Sequence, residues 1–355
     1  MYITKEVQLP VSLKQTELGL MVVLFKVNRT YFREPFFIDS LAKYPFVFKP
    51  QEKLSSKNEL LVRPIDCDEN DPRVEFMPVE DFLKTHNKDE LNKKIGFIFH
   101  MSRCGSTLAT QMISQSDRFF VLSEPTIINA ILDPALEIDI SERKVLLKTS
   151  IYALAKCSPE NSEQLFIKFR SWNILYANII LEEFPETSWL FIHRNGLEIL
   201  SSVLEKPPGW LRSKDIYVKY FSPILAVSEE EIKSMHDDEF ALRMLGAFCK
   251  KARDLDHGNC GFVDYMDLKG ELPDLLLKLW GINLSQEEIK EMNEISRIHS
   301  KDISKTVEFK NDSEIKRAKA TLEQQQLAND CVESLRLKLG EIDLEKDQEM
   351  ENKFH

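Results

Sequence analysis

Short apolar runs and longer amphipathic stretches alternate along the middle of the chain. Each run is rich in β-branched and aromatic residues, and the stretch behind it carries apolar positions at helical spacing. Buried strands that alternate with helices are typical of a parallel α/β sheet. The predicted strands are Ile95–Phe99, Phe119–Leu122, Leu165–Phe169, Ser188–His193 and Gly261–Leu268.

The helices predicted between and after these strands begin or end at recognisable signals. Pro185 stops one of them, and Ser228 and Ser285 have the side chains of N-cap residues. Pro273 is placed at the start of another helix, where proline costs little. The predicted helices are Trp172–Phe184, Gly196–Leu204, Phe240–Leu255, Pro273–Trp280 and Gln286–Glu294.

Two flanking segments differ from this alternating region. The first is a partly β module with a strand at Met21–Val27, a strand end or edge strand at Tyr31–Phe37 interrupted by Pro35, and a short helix at Val79–Lys84. It shows no catalytic constellation, so we expect it to be a cover or an oligomerisation element. The predicted organisation is this module over 1–92, ending in a linker at 86–94, a core domain over 93–312, and a helical stretch with a charged tail over 313–355.

Composition and charge limit the classes of function. With 355 residues, 43% of them hydrophobic, the chain can bury a sizeable core in one large domain or two smaller ones. Its net charge of −11 argues against a general nucleic-acid or membrane-surface binder, so an anionic cofactor would need a local basic patch. The six scattered cysteines form no CxxC pair, which argues against a zinc site and predicts reduced thiols in a cytoplasmic protein. No run approaches the roughly 20 apolar residues of a membrane span.

The strand at Ile95–Phe99 leads through a polar loop, 102–107, into a helix. This layout points free backbone N–H groups and a helix N-terminus at one place, where a phosphate binds. A Walker A loop has lysine after its last glycine, but Ser106 follows Gly105 here, which disfavours ATP and GTP. The basic residue of this loop, Arg103, comes before the glycine. A strand–turn–helix without a ligand is the alternative at this point.

A second motif follows the strand at Ser188–His193. Arg194 stands at the carboxyl end of that strand, and Ser202 lies eight residues later, about two turns into the next helix. An arginine fork and a serine hydroxyl can converge on one phosphate, the arginine with two parallel hydrogen bonds. A surface salt bridge is the alternative role for Arg194 taken alone.

The two motifs together resemble those of sulfotransferases that use 3′-phosphoadenosine 5′-phosphosulfate (PAPS). In that family a basic residue, a spacer, glycine and two hydroxyl residues bind the 5′-phosphosulfate, and a strand-end arginine with a serine eight residues on binds the 3′-phosphate. The resemblance covers residues 95–316. It implies an α/β, parallel-sheet P-loop three-layer fold and transfer of a sulfuryl group from PAPS to a hydroxyl or amine.

The chain departs from the family at two points. The family's catalytic Lys-Thr-His segment is absent, and its nearest counterpart is Lys168–Ser171. The C-terminal Arg-Lys-Gly loop is absent as well, and the segment His299–Asp302 is a candidate substitute on the adenosine side.

The resemblance assigns binding roles residue by residue. The loop would hold the 5′-phosphate, and Arg194 with Ser202 would hold the 3′-phosphate. Arg103 takes the position of the family's lysine and would act electrostatically, because an arginine pKa above ~12 prevents proton donation. Lys168 would reach the sulfuryl group, or else be an ordinary lysine whose charged end meets solvent. The loop residues of this assignment are Ser102, Arg103, Cys104, Gly105, Ser106 and Thr107, with Cys104 expected to be a small filler rather than a reactive thiol.

The acceptor also needs a base, and Glu124 is the preferred candidate. It follows the strand at Phe119–Leu122, where tyrosyl-protein-type members of the family carry a glutamate. We expect its pKa to stay ordinary or to rise through partial burial. His193 is a rival base and His100 a further candidate, although strand-end histidines are more often structural. A capping or solvated carboxylate is the alternative for Glu124.

Two other functions stay open at this point. A P-loop kinase with a degenerate loop would need a Mg²⁺-binding aspartate, and a non-catalytic nucleotide-binding protein would keep the fold without turnover. No metal-ligand pattern is present, and sulfuryl transfer does not require a metal. The expected partner is a small-molecule or peptide acceptor, and the sequence does not define the lining of the pocket that would bind it. A homo-oligomer is left open.

Overall fold

A computed structural model describes residues 6–28, 32–44, 47, 65, 67–85, 93–255, 259–298 and 312–340. Within these residues the strands form a three-stranded and a five-stranded sheet. The strands are β1 (Glu6–Thr16), β2 (Gly19–Asn28), β3 (Val74–Pro78), β4 (Lys94–His100), β5 (Phe119–Ser123), β6 (Gln164–Lys168), β7 (Trp189–His193) and β8 (Cys260–Asp264).

The larger sheet is parallel throughout, in the order β5-β6-β4-β7-β8. Its strands are buried on both faces, which explains their nearly continuous apolar sequences. From β4 the chain first moves towards β5 on one side and later crosses to β7 on the other. In such sheets ligands bind beyond the carboxyl ends of the strands, where the strand order reverses. The predicted parallel α/β fold is confirmed, and the place predicted for a ligand is the end of β4.

Helices surround the parallel sheet and continue to the C-terminal part. Those of the described residues are α1 (Phe37–Leu41), α2 (Val79–Thr85), α3 (Ser106–Ile113), α4 (Thr126–Ile131), α5 (Ile140–Lys156), α6 (Ala177–Glu183), α7 (Gly196–Glu205), α8 (Gly209–Arg212), α9 (Val218–Leu225), α10 (Glu229–Ser234), α11 (Asp237–Arg253), α12 (Leu268–Trp280), α13 (Gln286–Ile295), α14 (Ser313–Ala318) and α15 (Leu322–Ala328). A 3-10 turn (Ser171–Tyr176) precedes α6, and a π-helical turn (Asn329–Glu333) follows α15. Ser228 and Ser285 form the predicted caps, each in a complete capping box.

Several predicted elements differ from the observed ones. Residues 32–36 form no strand, and the chain enters α1 directly after Pro35, which offers no N–H for a strand ladder. Pro273 lies inside α12 rather than at its start, because the helix begins at Leu268, where β8 was predicted to end. The predicted helix over Trp172–Phe184 divides into the 3-10 turn and α6. The predictions for residues 86–92, 299–302 and 341–355 concern parts of the chain outside the described residues.

The small antiparallel sheet, in the order β1-β2-β3, packs against the parallel-sheet domain. The Thr126 hydroxyl on α4 donates a hydrogen bond to the carbonyl of Val11 on β1. The Phe32 ring meets the Phe120 ring of β5 edge to face, with centroids 5.9 Å apart. The second contact places Phe32 against β5, and the nearby Phe36 ring lies at the carboxyl end of β6, beside Lys168. In the part of the chain that is described, no helix is both long and apolar enough to cross a bilayer.

Candidate active site at the carboxyl edge of the parallel sheet

The loop between β4 and α3 has an unusual backbone. Ser102, Arg103 and Gly105 have φ values of 69°, 48° and 85°, all in the left-handed region. Alternation of left-handed residues with ordinary ones turns successive N–H groups towards one concave side, where anions bind. Left-handed non-glycine residues cost of order 1–3 kcal/mol and persist only where the surroundings enforce them. The loop is therefore held in shape by its neighbours.

His100 is the first of these neighbours. Its Nδ1 accepts a hydrogen bond from the Ser102 N–H at 3.1 Å, and its Nε2 lies 3.0 Å from the carbonyl oxygen of Phe169. The two contacts together assign the proton to Nε2, which donates to that carbonyl. Both ring nitrogens are thus engaged in joining the loop to the end of β6, which is a structural arrangement rather than that of a free base.

Gly105 lies against the ring of Tyr265. A Cβ at this position would come 2.4 Å from Cδ2 of that ring, so no larger residue fits without a shift. The guanidinium carbon of Arg194 lies over the same ring, 4.1 Å from its centroid. One aromatic side chain therefore supports both the glycine loop and the arginine of the second motif.

The start of α3 offers unused hydrogen-bond donors. No side chain caps this helix. Within the described part of the chain, the backbone N–H groups of Arg103, Cys104, Gly105, Thr107 and Leu108 find no acceptor. Uncapped N–H groups at a helix start carry partial positive charge and bind anions. This end of the loop can therefore hold a phosphate.

Cys104 itself is a buried thiol. Burial raises its pKa to about 11, and its Sγ donates to the carbonyl of Ile192 at 3.1 Å. The side chain therefore stays neutral and fills space beneath the loop, as expected. All six cysteines of the chain are free thiols.

Arg194 lies beside the loop rather than turned away from it. Its Nη1 is 3.5 Å from the carbonyl oxygen of Arg103, its Nε donates to Glu198 Oε2 at 2.6 Å, and its Nη2 donates to Ser313 Oγ at 3.1 Å. Ser202 lies one turn beyond Glu198 on α7, and its hydroxyl donates to the Glu198 carbonyl at 3.1 Å. Among the described residues no hydrogen bond joins Ser202 to Arg194, although Glu198 and Ser202 share one helix face.

A buried ion cluster occupies the ends of β5 and β6. The Lys168 ammonium is fully buried and lies 2.8 Å from Glu124 Oε1, while Arg170 Nε lies 3.5 Å from Glu124 Oε2. A buried ammonium with three rotatable donors and this one ion-pair partner among the described residues suits an incoming anion.

The expectation for the pKa of Glu124 is wrong. Burial acts to raise it, but the positive charges of Lys168 and Arg170, with a smaller contribution from His100, outweigh burial and lower the pKa to about 2. Glu124 is therefore ionised throughout the physiological pH range. The sequence shows Glu124 beside apolar residues, whereas its cationic neighbours come from the adjacent strand.

Arg103 extends from the loop towards the end of α7, where its Nη2 donates to the Lys206 carbonyl at 2.7 Å. Burial lowers its pKa, and the negative charge of Glu124 opposes this effect. The side chain thus lies in the electrostatic field of Glu124, on the same edge of the sheet as Lys168.

Two residues of this site were not expected from the sequence. The Phe36 ring lies over the Lys168 ammonium, with Nζ 4.8 Å from its centroid. Burial raises the pKa of Asp39, on the first turn of α1, and the charges of Glu34 and Glu124 raise it further. No sequence signal marks these residues, because their position depends on how the N-terminal module packs on β5.

Together, the parallel sheet, the left-handed glycine loop and the buried cations define an α/β protein whose strand–loop–helix has the geometry of an anion site. No protein-family model and no curated protein matches the chain. Its structure is similar to that of the sulfotransferase STF9 from Mycobacterium avium, with 12% identity and a TM-score of 0.41 over 61% of this chain and 71% of that one. It is also similar to the sulfotransferase domain of the Synechococcus PCC 7002 olefin synthase, with 12% identity and a TM-score of 0.38 over 68% and 95% of the two chains.

Proposed function

We propose that this protein is a PAPS-dependent sulfotransferase that transfers a sulfuryl group to a hydroxyl or amine acceptor. The observation that carries the proposal is the contact between the Arg194 guanidinium and the backbone of the glycine loop, at 3.5 Å. Two anion-binding groups this close can hold the two phosphates of one small nucleotide. The loop lacks the Walker lysine that a nucleoside triphosphate would need, so a second, separate phosphate is the better partner for Arg194.

In this proposal the N–H groups at the start of α3, with the hydroxyls of Ser106 and Thr107, bind the 5′-phosphate. Ser102 and Cys104 shape the loop from below. Arg194 binds the 3′-phosphate. Ser202, which lies on the face of α7 that carries Glu198, approaches the same phosphate. The residues present fit PAPS, because backbone donors with no acceptor among the described residues and a buried ammonium lie at one edge of the sheet. PAPS supplies an activated sulfuryl group and leaves as adenosine 3′,5′-bisphosphate.

Lys168 and Arg103 are proposed to stabilise negative charge on the transferred group and on the leaving oxygen. Preorganised cations in a water-poor site act strongly on such charge. Glu124 is proposed to accept the proton of the acceptor. Its low pKa suits a late proton transfer, because a hydroxyl becomes strongly acidic once its oxygen bonds to sulfur.

A thermal-shift titration with adenosine 3′,5′-bisphosphate tests the donor site. We expect stabilisation by this nucleotide, no comparable effect of ATP with Mg²⁺, and loss of the shift in Arg194→Ala. Stabilisation by ATP with Mg²⁺ instead would favour a kinase. A bisphosphate shift that Arg194→Ala leaves intact would contradict the assignment of the 3′-phosphate.

Catalysis is tested separately, because a non-catalytic nucleotide-binding protein would pass the titration. Transfer of labelled sulfate from PAPS to a panel of phenols, alcohols and amines is the measurement, with Glu124→Gln as the matched control. We expect transfer that Glu124→Gln abolishes. A protein that binds the bisphosphate but labels no acceptor would support the non-catalytic alternative.

A further inference from the structure

Glu198 forms a second buried ion cluster at the start of α7. Its side chain is 2% exposed, and its Oε2 accepts from Arg194 Nε at 2.6 Å. Its other oxygen, Oε1, lies 3.3 Å from Nη1 of Arg317 on α14. A buried carboxylate between two guanidinium groups pairs with both and holds them in place.

The net charge of this ion cluster acts on an incoming phosphate. Glu198 alone would neutralise Arg194, and the pair would then carry no net charge. With Arg317 the three groups sum to one positive charge. Asp312 lies 3.8 Å from Arg194 Nη2, but Lys316 pairs with it at 2.8 Å, so those two cancel each other.

We infer that Arg317 is a positioning residue of the donor site, which pairs with Glu198 so that the cluster of Arg194, Glu198 and Arg317 keeps a net positive charge towards the 3′-phosphate of the nucleotide. The inference rests on the proposed function. Arg317 itself does not need to touch the nucleotide, since its side chain is about half exposed and reaches the site through Glu198.

The geometry of Arg194 supports the same role. Glu198 takes its Nε edge and Ser313 takes Nη2, so that Nη1 is left towards the loop carbonyl of Arg103. If Arg317 were lost, Glu198 Oε1 would stay buried without its cation. Its full negative charge would then act on Arg194, and phosphate binding would have to overcome that charge.

The test compares Arg317→Met with Lys319→Met, which removes an exposed charge from the end of the same helix. Calorimetric dissociation constants are measured for adenosine 3′,5′-bisphosphate and for adenosine 5′-monophosphate at one ionic strength. We expect Arg317→Met to weaken bisphosphate binding roughly tenfold and to leave the monophosphate unchanged. Lys319→Met should change neither.

A double variant distinguishes an action through Glu198 from direct contact. In a Glu198→Gln background the carboxylate charge is gone, so Arg317→Met should there weaken the bisphosphate less than twofold. An undiminished effect in that background would overturn the inference, and so would an equal loss of both nucleotides, which would indicate a structural role only. Wild-type protein that binds the bisphosphate no better than the monophosphate would instead remove the proposed function, and the inference with it.

Discussion

At the scale of single residues, backbone strain is concentrated at the candidate site. Four non-glycine residues of the described chain have positive φ, and three of them, Ser102, Arg103 and Glu124, lie at the carboxyl edge of the parallel sheet. Each is enforced locally. His100 holds the Ser102 N–H, and the Glu124 N–H donates to the Lys168 carbonyl at 2.7 Å. Strain that the fold maintains at one place is typical of a binding or catalytic site.

Gly105→Ala should lower the free energy of unfolding by more than the left-handed φ of residue 105 alone would. We expect the free energy of unfolding to fall by roughly 3 kcal/mol, because a left-handed φ costs about 1–2 kcal/mol and the methyl group also displaces the Tyr265 ring. Gly281 provides the matched control, since it has a similar φ of 67° but open space around it. Urea unfolding of both variants is the measurement. Equal losses for Gly105→Ala and Gly281→Ala would show that Tyr265 does not constrain the loop.

The pKa of Glu124 predicts how stability depends on pH. Its folded-state pKa, about 2, lies below the ordinary value of 4.5, so the stabilisation is complete above pH 5 and is lost as the pH falls towards 2. The shift corresponds to on the order of 3 kcal/mol. We expect Glu124→Gln to be less stable than wild type at pH 7, with a difference that shrinks by pH 3. Urea unfolding at pH 7, 5, 4 and 3 measures it, and two parallel curves would contradict the shift.

At the scale of elements, helix α1 and the residues before it link the N-terminal module to the site. Phe32 anchors this segment on Phe120 of β5, and Phe36 reaches the ammonium of Lys168 on β6. The module therefore contributes a side chain to the buried ion cluster, in addition to covering the sheet. The separate domain over 1–92 stays a prediction.

Phe36→Ala should expose Lys168 to small reagents. The Lys168 side chain is fully buried with the ring in place, so removal of the ring opens a path from solvent to the ammonium. We expect acylation of Lys168, followed by mass spectrometry, to be at least severalfold faster in this variant. Phe76→Ala is the control, because that ring covers the Lys14 ammonium at 5.1 Å in a similar contact on β3. If Lys168 reacts at the same rate in all three proteins, Phe36 does not seal the site.

The sequence predicts the elements of the parallel sheet well, and the reason is physical. Strands buried on both faces have nearly continuous apolar sequences, so β4, β5, β6 and β7 are recognisable without knowledge of their neighbours. Strand β1 is half exposed and carries polar residues and Pro10, which weakened its signal. Similarly, Pro273 predicts a helix start but lies inside α12, where its tolerance depends on tertiary packing.

Of the candidate site, the sequence could predict the loop and the strand-end residues but not their electrostatics. Arg103, Glu124, Lys168 and Arg194 all lie at the predicted edge of the sheet, because parallel strands end on the same side. The expectation of an ordinary or raised pKa for Glu124 is wrong, because the direction of the shift depends on cations of another strand. The partners of Arg194 on α14 come from a part of the chain far away in sequence.

At the scale of the whole molecule, an acidic protein concentrates cations where a nucleotide would bind. The net charge is −11, yet Arg103, Lys168, Arg170 and Arg194 lie together at one edge of the parallel sheet. A local positive potential attracts a small anion even when the total charge is negative. The four cations outnumber the two carboxylates that pair with them most closely, Glu124 and Glu198, and this local excess is what an anionic cofactor would need.

The central claim is that one doubly phosphorylated adenosine nucleotide bridges the glycine loop and Arg194. A crystal structure of the protein with adenosine 3′,5′-bisphosphate tests it most directly. We predict the 5′-phosphate within hydrogen-bond distance of the N–H groups of Gly105 to Thr107, and the 3′-phosphate paired with the Arg194 guanidinium. A nucleotide bound elsewhere, or one whose 3′-phosphate points away from Arg194, would contradict the account.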